Sequence, residues 1–248
     1  MRFLKIRSLR ERHYGQLVAA LVLAACCGPA AALTFTPIEM DFSPSGRGAT
    51  QTFRLANNDA EAAAVEITVK SRAMARNGED ILGEAEDQFS IFPTQVVLQP
   101  GQVQSVRAQY IGDAAIEHEK AFRLIAEQLP VDVGQAPQTG GRMRLLVKYV
   151  ASLYVLPRNA KPALSVTDAS LVREADGQRW LEVTLRNGGS SRKILKNATL
   201  LIGELSLSGA ALNGMEGENL LAQTTRVFRL HAPAQLTAIQ APVRLVLD

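Results

Sequence analysis

Clusters of turn-forming residues cut this chain into short apolar runs, and no other feature of the sequence narrows the fold as much. From Leu33 onward they are Ser43-Pro44-Ser45-Gly46, Asn57-Asn58-Asp59, Asn77-Gly78, Gln99-Pro100-Gly101, the stretch 132–141, Asp176-Gly177, Asn187-Gly188-Gly189 and Asn213-Gly214. Gly and Asn accept left-handed backbone and Pro lacks an amide donor, so each cluster stops a helix or a strand. The runs between them are rich in Val, Ile, Leu, Thr and Phe and too short for most helices, which favours strands. Residues 50–55, 65–69, 102–110 and 181–185 alternate apolar with polar side chains, the period of a strand with one face on a core. Segment 113–124 is the main helical exception. Because Phe122, Leu124 and Ala126 alternate, it is read as a strand, entered through at most one helical turn.

The first 32 residues follow a different rule. Arg2, Lys5, Arg7, Arg10 and Arg12 precede an apolar run at 17–27, then Gly28-Pro29 and Ala30-Ala31-Ala32, the order of a secretory signal peptide. A run of eleven residues falls short of the roughly 20 that cross a bilayer as a helix, and no later stretch is longer. Removing residues 1–32 turns 27 basic and 24 acidic residues into 22 and 23, so a formal charge of +3 becomes −1. The basic balance belongs to the leader, and nucleic-acid binding loses its main support. Cys26 and Cys27 leave with it, so the mature chain has no thiol in a compartment where disulfides persist. Leu23-Ala24-Ala25-Cys26 also resembles a lipobox, with lipid attached to the Cys; cleavage after Ala32 is preferred, because Ala-rich leaders produce that match easily.

A seam is expected at Leu156-Pro157-Arg158-Asn159, where an apolar strand meets Pro and a polar stretch with a second Pro, Pro162. The expected organisation is a signal peptide at 1–32, one domain at 33–157 and a second at 158–248. Each domain is near the roughly 100 residues of an immunoglobulin-like sandwich, so the fold class is all-β, with two immunoglobulin-like β-sandwich domains in series.

Chemistry is poorly flagged. His118 and His231 lie far apart, with neither a second His at ligand spacing nor a mature Cys, so no metal is expected. Nucleophile elbow, dinucleotide and phosphate-loop motifs are all missing, and neither a catalytic residue nor a cofactor is assigned. The acidic run 77–87 lacks calcium-loop spacing and reads as a solvated edge. A β-scaffold hydrolase using His118 or His231 remains a distant rival.

The informative segment is 142–156. In its first half Met143, Leu145 and Val147 point one way and Arg142, Arg144 and Lys148 the other; its second half, from Tyr149, is apolar nearly throughout. Fifteen extended residues would span about 50 Å at roughly 3.3 Å per residue, more than twice a typical strand. An overhanging edge with bulky apolar side chains invites pairing with another chain. The alternative, that Met143, Leu145 and Val147 cap the first domain's own core, stays open on pattern alone.

At this point the chain resembles the periplasmic chaperones of the chaperone-usher pilus pathway. Phe89-Ser90-Ile91-Phe92-Pro93 running through Leu98-Gln99-Pro100-Gly101-Gln102 to Val106-Arg107, then 123–130 (RLIAEQLP), then the long strand ending before Pro157, are similar to that family's motifs in order and spacing. Phe35-Thr36-Pro37-Ile38 and Phe42 fit its first strand. The resemblance implies two immunoglobulin-like domains set in an L and a non-enzymatic function. Such chaperones bind pilus or fimbrial subunits by donor-strand complementation in the periplasm and deliver them to an outer-membrane usher. It assigns Met143, Leu145, Val147 and Tyr149 to the subunit-binding donor strand. Family members anchor the subunit's C-terminal carboxylate with an Arg and a Lys, at positions here held by Glu39 and Ser152, so Lys148, with Arg107 and Arg123 behind it, is the candidate anchor. Gln128 and Leu156 fall where the family's interdomain charged pair is expected, which implies a weakened cluster. With no mature disulfide, the chain resembles a divergent branch, in the direction of the archaic class. Self-association is one way for the free chain to mask its exposed strand. The rival reading is a periplasmic or lipid-anchored immunoglobulin-like binding protein.

Overall fold

The computed structural model describes residues 33–131 and 145–247. Residues 1–32, expected as the leader and including Cys26, and Met143, expected in the donor strand, lie outside the described residues. The first half holds β1 (Leu33–Thr36), β2 (Glu39–Phe42), β3 (Thr50–Asn57), β4 (Ala63–Met74), β5 (Asp80–Glu84), β6 (Phe89–Phe92), β7 (Gln95–Leu98), β8 (Val103–Tyr110), β9 (Lys120–Gln128) and β10 (Lys148–Val155). The second holds β11 (Leu164–Arg173), β12 (Arg179–Asn187), β13 (Lys193–Ile194), β14 (Ala198–Ile202), β15 (Leu205–Ser208), β16 (Asn219–Leu220), β17 (Thr225–His231) and β18 (Val243–Leu247). Two single 3-10 turns, Arg47–Ala49 and Gly209–Leu212, are the helical content among the described residues. The fold is all-β.

Two sheets, β1-β3-β8-β6 and β2-β10-β9-β4-β5 with β7 added to β4, close over one core. The alternation explains the closure: Phe53 and Leu55 on β3, Val106, Ala108 and Tyr110 on β8, and Phe122, Leu124 and Ala126 on β9 are all buried, because every second side chain points inward. A second core gathers Leu181, Val183 and Leu185 of β12 with Leu200 of β14 and Phe228 and Leu230 of β17. Its strands form the sheets β11-β12-β17 and β15-β14-β18 and the short pair β13-β16.

The segment before β9 carries no helical turn; bends run from residue 112 to 118 and the strand begins at Lys120. The ladder of β10 begins at Lys148, later than the 15-residue strand expected from 142, although Gln128 N still donates to Val147 O at 2.9 Å. The chain changes sheet between β1 and β2, and β2 runs parallel to β10 in the opposite sheet.

Each half is pinned by one buried Asn at the end of a strand. Asn57 Nδ2 donates to Glu61 O at 2.7 Å and Leu98 O at 3.1 Å, and its Oδ1 accepts from Asp59 N at 3.0 Å. Asn187 Nδ2 donates to Ser191 O, Leu220 O and Leu221 O at 2.8, 3.1 and 3.2 Å, while Oδ1 accepts from Ala163 N and Gly189 N at 3.1 and 3.0 Å. Apolar side chains cannot satisfy these backbone groups, and burying them without partners is costly. Asn187→Ala is therefore expected to destabilise the second domain by about 1–3 kcal/mol, read as a lower denaturation midpoint. A surface substitution such as Asn58→Ala is expected to stay within about 0.5 kcal/mol of the parent.

Candidate functional site: the β10 edge and the charges beneath it

β10 is exposed and buried by turns, and its two edges differ. Ala151, Leu153 and Val155 are buried in the first core and Tyr149 packs against it. The same row of side chains continues through half-buried Val147 to Leu145, which is 84% exposed. On one edge β9 pairs with β10 along its whole length, Lys148↔Glu127 to Val155↔Lys120. On the other, β2 covers only Ser152–Val155. Ser152 N donates to Ile38 O at 2.8 Å and Leu156 N to Phe42 O at 2.9 Å. Backbone groups of alternate residues face opposite edges of a strand, so those of Lys148 and Val150 face the edge that no described strand covers. Leu146, Val150 and Ile38 are exposed at the same end of β10. An unpaired edge beside exposed apolar side chains marks a pairing surface.

The outer face of the β2-β10-β9-β4-β5 sheet carries the charges, and register decides which of them meet. Glu39, Ser152, Arg123 and Lys70 stand on one rung across β2, β10, β9 and β4. Arg123 Nη1 donates to Ser152 Oγ. Its Nε and Nη2 both reach Asp80 Oδ2, at 2.7 and 2.6 Å. Arg72 Nε bonds the other oxygen of Asp80 at 2.6 Å, and Arg72 Nη1 donates to Tyr154 Oη at 3.1 Å. Asp80 thus bridges two guanidinium groups.

Of the three candidate anchors, Arg123 sits beside Ser152. Lys148 lies four residues up the strand, on the same face, and pairs at 2.9 Å with its cross-strand partner Glu127, both about half exposed. Arg107 stands apart from them: it is on β8 in the other sheet, exposed, and donates to Gln109 Oε1 at 2.9 Å. His118 is exposed in the first domain, and His231 stacks on Trp180 in the second with ring centroids 4.2 Å apart, so the two do not form one site.

The interdomain charge cluster expected to be weak at Gln128 and Leu156 is built from other residues. Arg192, between β12 and β13, donates through Nη1 to Glu119 Oε2 at 3.0 Å and through Nη2 to Glu39 at 2.8 Å and Asp41 at 2.9 Å. Its guanidinium lies 3.5 Å from the centroid of the Tyr154 ring. Glu119 N donates to Ser190 O at 2.9 Å, a second tie between the halves. No spacing rule could find Arg192, since its three acidic partners lie more than 70 residues away along the chain.

Burial pushes the Glu119 carboxyl above the usual Glu range, with the charge of Arg192 opposing. Its Oε1 is buried without a hydrogen-bond partner, so desolvation prevails over pairing. Burial works to lower the Arg192 value, but the hydrogen bond to Glu39 and the charges of Glu119 and Asp41 outweigh it and the guanidinium is held above its ordinary range.

Residues 43–161 match the model of the pili and flagellar-assembly chaperone family, PapD N-terminal domain. The chain's first domain belongs to that family. It is a family of pilus-assembly chaperones, not of enzymes. The matched segment contains Arg72, Asp80, Arg123 and all of β10 but stops short of Arg192. Among solved structures, the class 5 fimbriae chaperone CfaA is 14% identical with a TM-score of 0.56, covering 88% of this chain and 100% of that one. A chain from the CsuC–CsuE chaperone–tip adhesion subunit complex of archaic Csu pili of Acinetobacter baumannii is 18% identical with a TM-score of 0.55, covering 87% and 98%. A chain of a chaperone–tip adhesin complex of CFA/I fimbriae is 16% identical with a TM-score of 0.54, covering 79% and 87%. These likenesses extend the fold over both sandwiches. A search of curated protein sequences gives no match.

Glu119 generates a pH prediction. Its folded pKa lies above its unfolded one, so its contribution to stability is greatest below the unfolded value and declines as pH rises through the folded value. Between about pH 4 and pH 7, Glu119→Gln is expected to gain stability relative to the parent, as seen in denaturation midpoints across that range. Arg192→Ala leaves the Glu119 charge buried without a cation, holding only the residue-192 backbone amide as donor, and is expected to cost about 3 kcal/mol at neutral pH.

Proposed function

We propose that this chain is a non-enzymatic periplasmic chaperone that captures pilus or fimbrial subunits along the open edge of β10 and hands them to an outer-membrane usher. The observation that carries the reading is the half-covered strand: Lys148 and Val150 turn their backbone groups to an edge that no described strand covers, next to Leu145 at 84% exposure. β-Strand addition needs those two things, backbone groups for the ladder and alternate side chains for the partner's pockets. The first-domain family and the presence of chaperone–subunit complexes among the similar structures support the same partner class.

In this reading Leu145 and Val147 enter the open groove of the subunit, and the alternation in the sequence gives Met143 the same role. Tyr149, whose hydroxyl donates to Leu33 O, closes the chaperone's own core beneath them. By resemblance the subunit's C-terminal carboxylate comes to rest at the rung of Glu39 and Ser152, where it needs a cation. Arg123 fills that role, since it shares the rung of Ser152 and Glu39, while Lys148 stands about 13 Å farther up at roughly 3.3 Å per residue. Glu39 occupies a position where the family carries a cation and is instead bonded to Arg192.

The test is to purify the tagged protein from the periplasm of its own cells and identify what comes with it. Leu145→Arg is expected to keep the parent's melting point, because the side chain is exposed, yet to lose the subunit, because a charge entering an apolar groove costs several kcal/mol. A well-folded Leu145→Arg protein that still captures its subunit would falsify the donor-strand assignment. With the subunit in hand, Arg123→Gln is expected to weaken binding by the roughly 1.5–3 kcal/mol of a charge-assisted hydrogen bond. Lys148→Ala and Arg107→Ala are expected to change it by less than about 1 kcal/mol, the range of exposed charges.

A further inference from the structure

Two guanidinium groups on the outer face of the sheet share a single carboxylate, and the way that carboxylate is supplied is unusual. Arg72 and Arg123 have side chains only 7% and 17% exposed, and both are bonded to Asp80 through its two oxygens. Two like charges so placed repel each other unless an anion lies between them. The anion comes from β5, the edge strand of the sheet, whose five residues are all exposed. Backbone pairing holds Asp80 opposite Met74, and the turn before it is docked on the second domain, where Val227 N donates to Arg76 O at 2.7 Å. The Asp80 backbone is therefore fixed, but its side chain keeps 26% of its surface in water and can leave the two arginines by rotating about its own bonds. Their other contacts, Ser152 Oγ for Arg123 and Tyr154 Oη for Arg72, do not involve Asp80 and keep both groups aimed at the same spot when it leaves.

We infer that Asp80 is a built-in placeholder: its carboxylate holds Arg72 and Arg123 in receiving geometry in the free protein and is exchanged for the carboxylate of an incoming chain end. The inference rests on the reading of Arg123 as the anchor and adds Arg72 as its second guanidinium and Asp80 as the group that must be displaced. A free chain end has the planar, two-oxygen shape that fits a pair of guanidinium forks. A cationic or neutral group does not neutralise the two guanidinium groups, so the exchange requires an anion. It also lowers the apparent affinity for any carboxylate by the competition that Asp80 offers.

Acetate, with chloride at equal ionic strength as control, tests this without any subunit. The Nε–H resonances of Arg72 and Arg123 are followed by NMR in the parent and in Asp80→Asn, with Asp80→Ser as a second variant should Asn disturb the fold. Expected is a saturable acetate-specific shift of both resonances in the variants, at a half-saturating concentration at least tenfold below that of the parent, and its loss from Arg72 when Arg123→Gln is added. Equal titration in parent and variants, or no acetate-specific shift in either variant, overturns the inference. Capture by Arg123→Gln reports separately on the anchor: acetate binding gained in Asp80→Asn, with capture unchanged in Arg123→Gln, upholds the placeholder and overturns only the anchoring role.

Discussion

The Tyr154 side chain is the piece on which the junction of the two sandwiches depends. It is on the outward row of β10, yet 1% exposed, because the second domain covers it. Arg192 stacks on its ring, and its hydroxyl accepts from Arg72 at 3.1 Å and from Asn219 at 3.0 Å. A cation over an aromatic face in a water-poor setting is worth more than the same contact at the surface. One ring thereby joins the Asp80 network of the first domain to the Arg192 clasp of the second, and β10, which carries it, cannot shift without disturbing both.

That arrangement accounts for the unusual balance of charge at the clasp. Three carboxylates, Glu39, Asp41 and Glu119, share Arg192. Glu39 and Asp41 are partly in water and lose little by sharing, whereas Glu119 is 1% exposed and bears the desolvation penalty, which raises its pKa. Glu39 belongs to a clasp in which the second domain supplies the cation and the first the acids.

Much of the fold is legible in the sequence because sheets and turns leave local signatures. Asn57 and Asn187 stand in turn clusters, and the alternation of Phe122, Leu124 and Ala126 is plain along the chain itself. Of the candidate site, only the apolar row that leads into β10, Leu145 and Val147, is legible. Its charged surroundings are not, for a physical reason: cross-strand neighbours are set by register, which couples residues such as Glu39, Ser152, Arg123 and Lys70 from four separate strands. The acidic run 77–87 shows the limit well. Glu84 and Glu86 do lie at a solvated edge, paired with Lys70, but Asp80 in the same run reaches into the arginine pair, and nothing in its local sequence marks it out.

The β4–β5 hairpin sets the Asp80 network apart from the ties that hold the junction together. β4 runs on to Met74, which packs against the second core, and the turn beyond it places Gly78, at φ +92, where any side chain would strike the Arg226 guanidinium. The hairpin is thus fastened to the second domain at its tip and to the sheet at its base, with Asp80 at the point between. A group that replaced Asp80 would remove charge from a hairpin that also braces the domains. Because the backbone ties at Arg76 and along β5 remain, that replacement alters the electrostatics of the junction without releasing it. The charge at Asp80 is thus separable from the backbone ties that hold the two domains together.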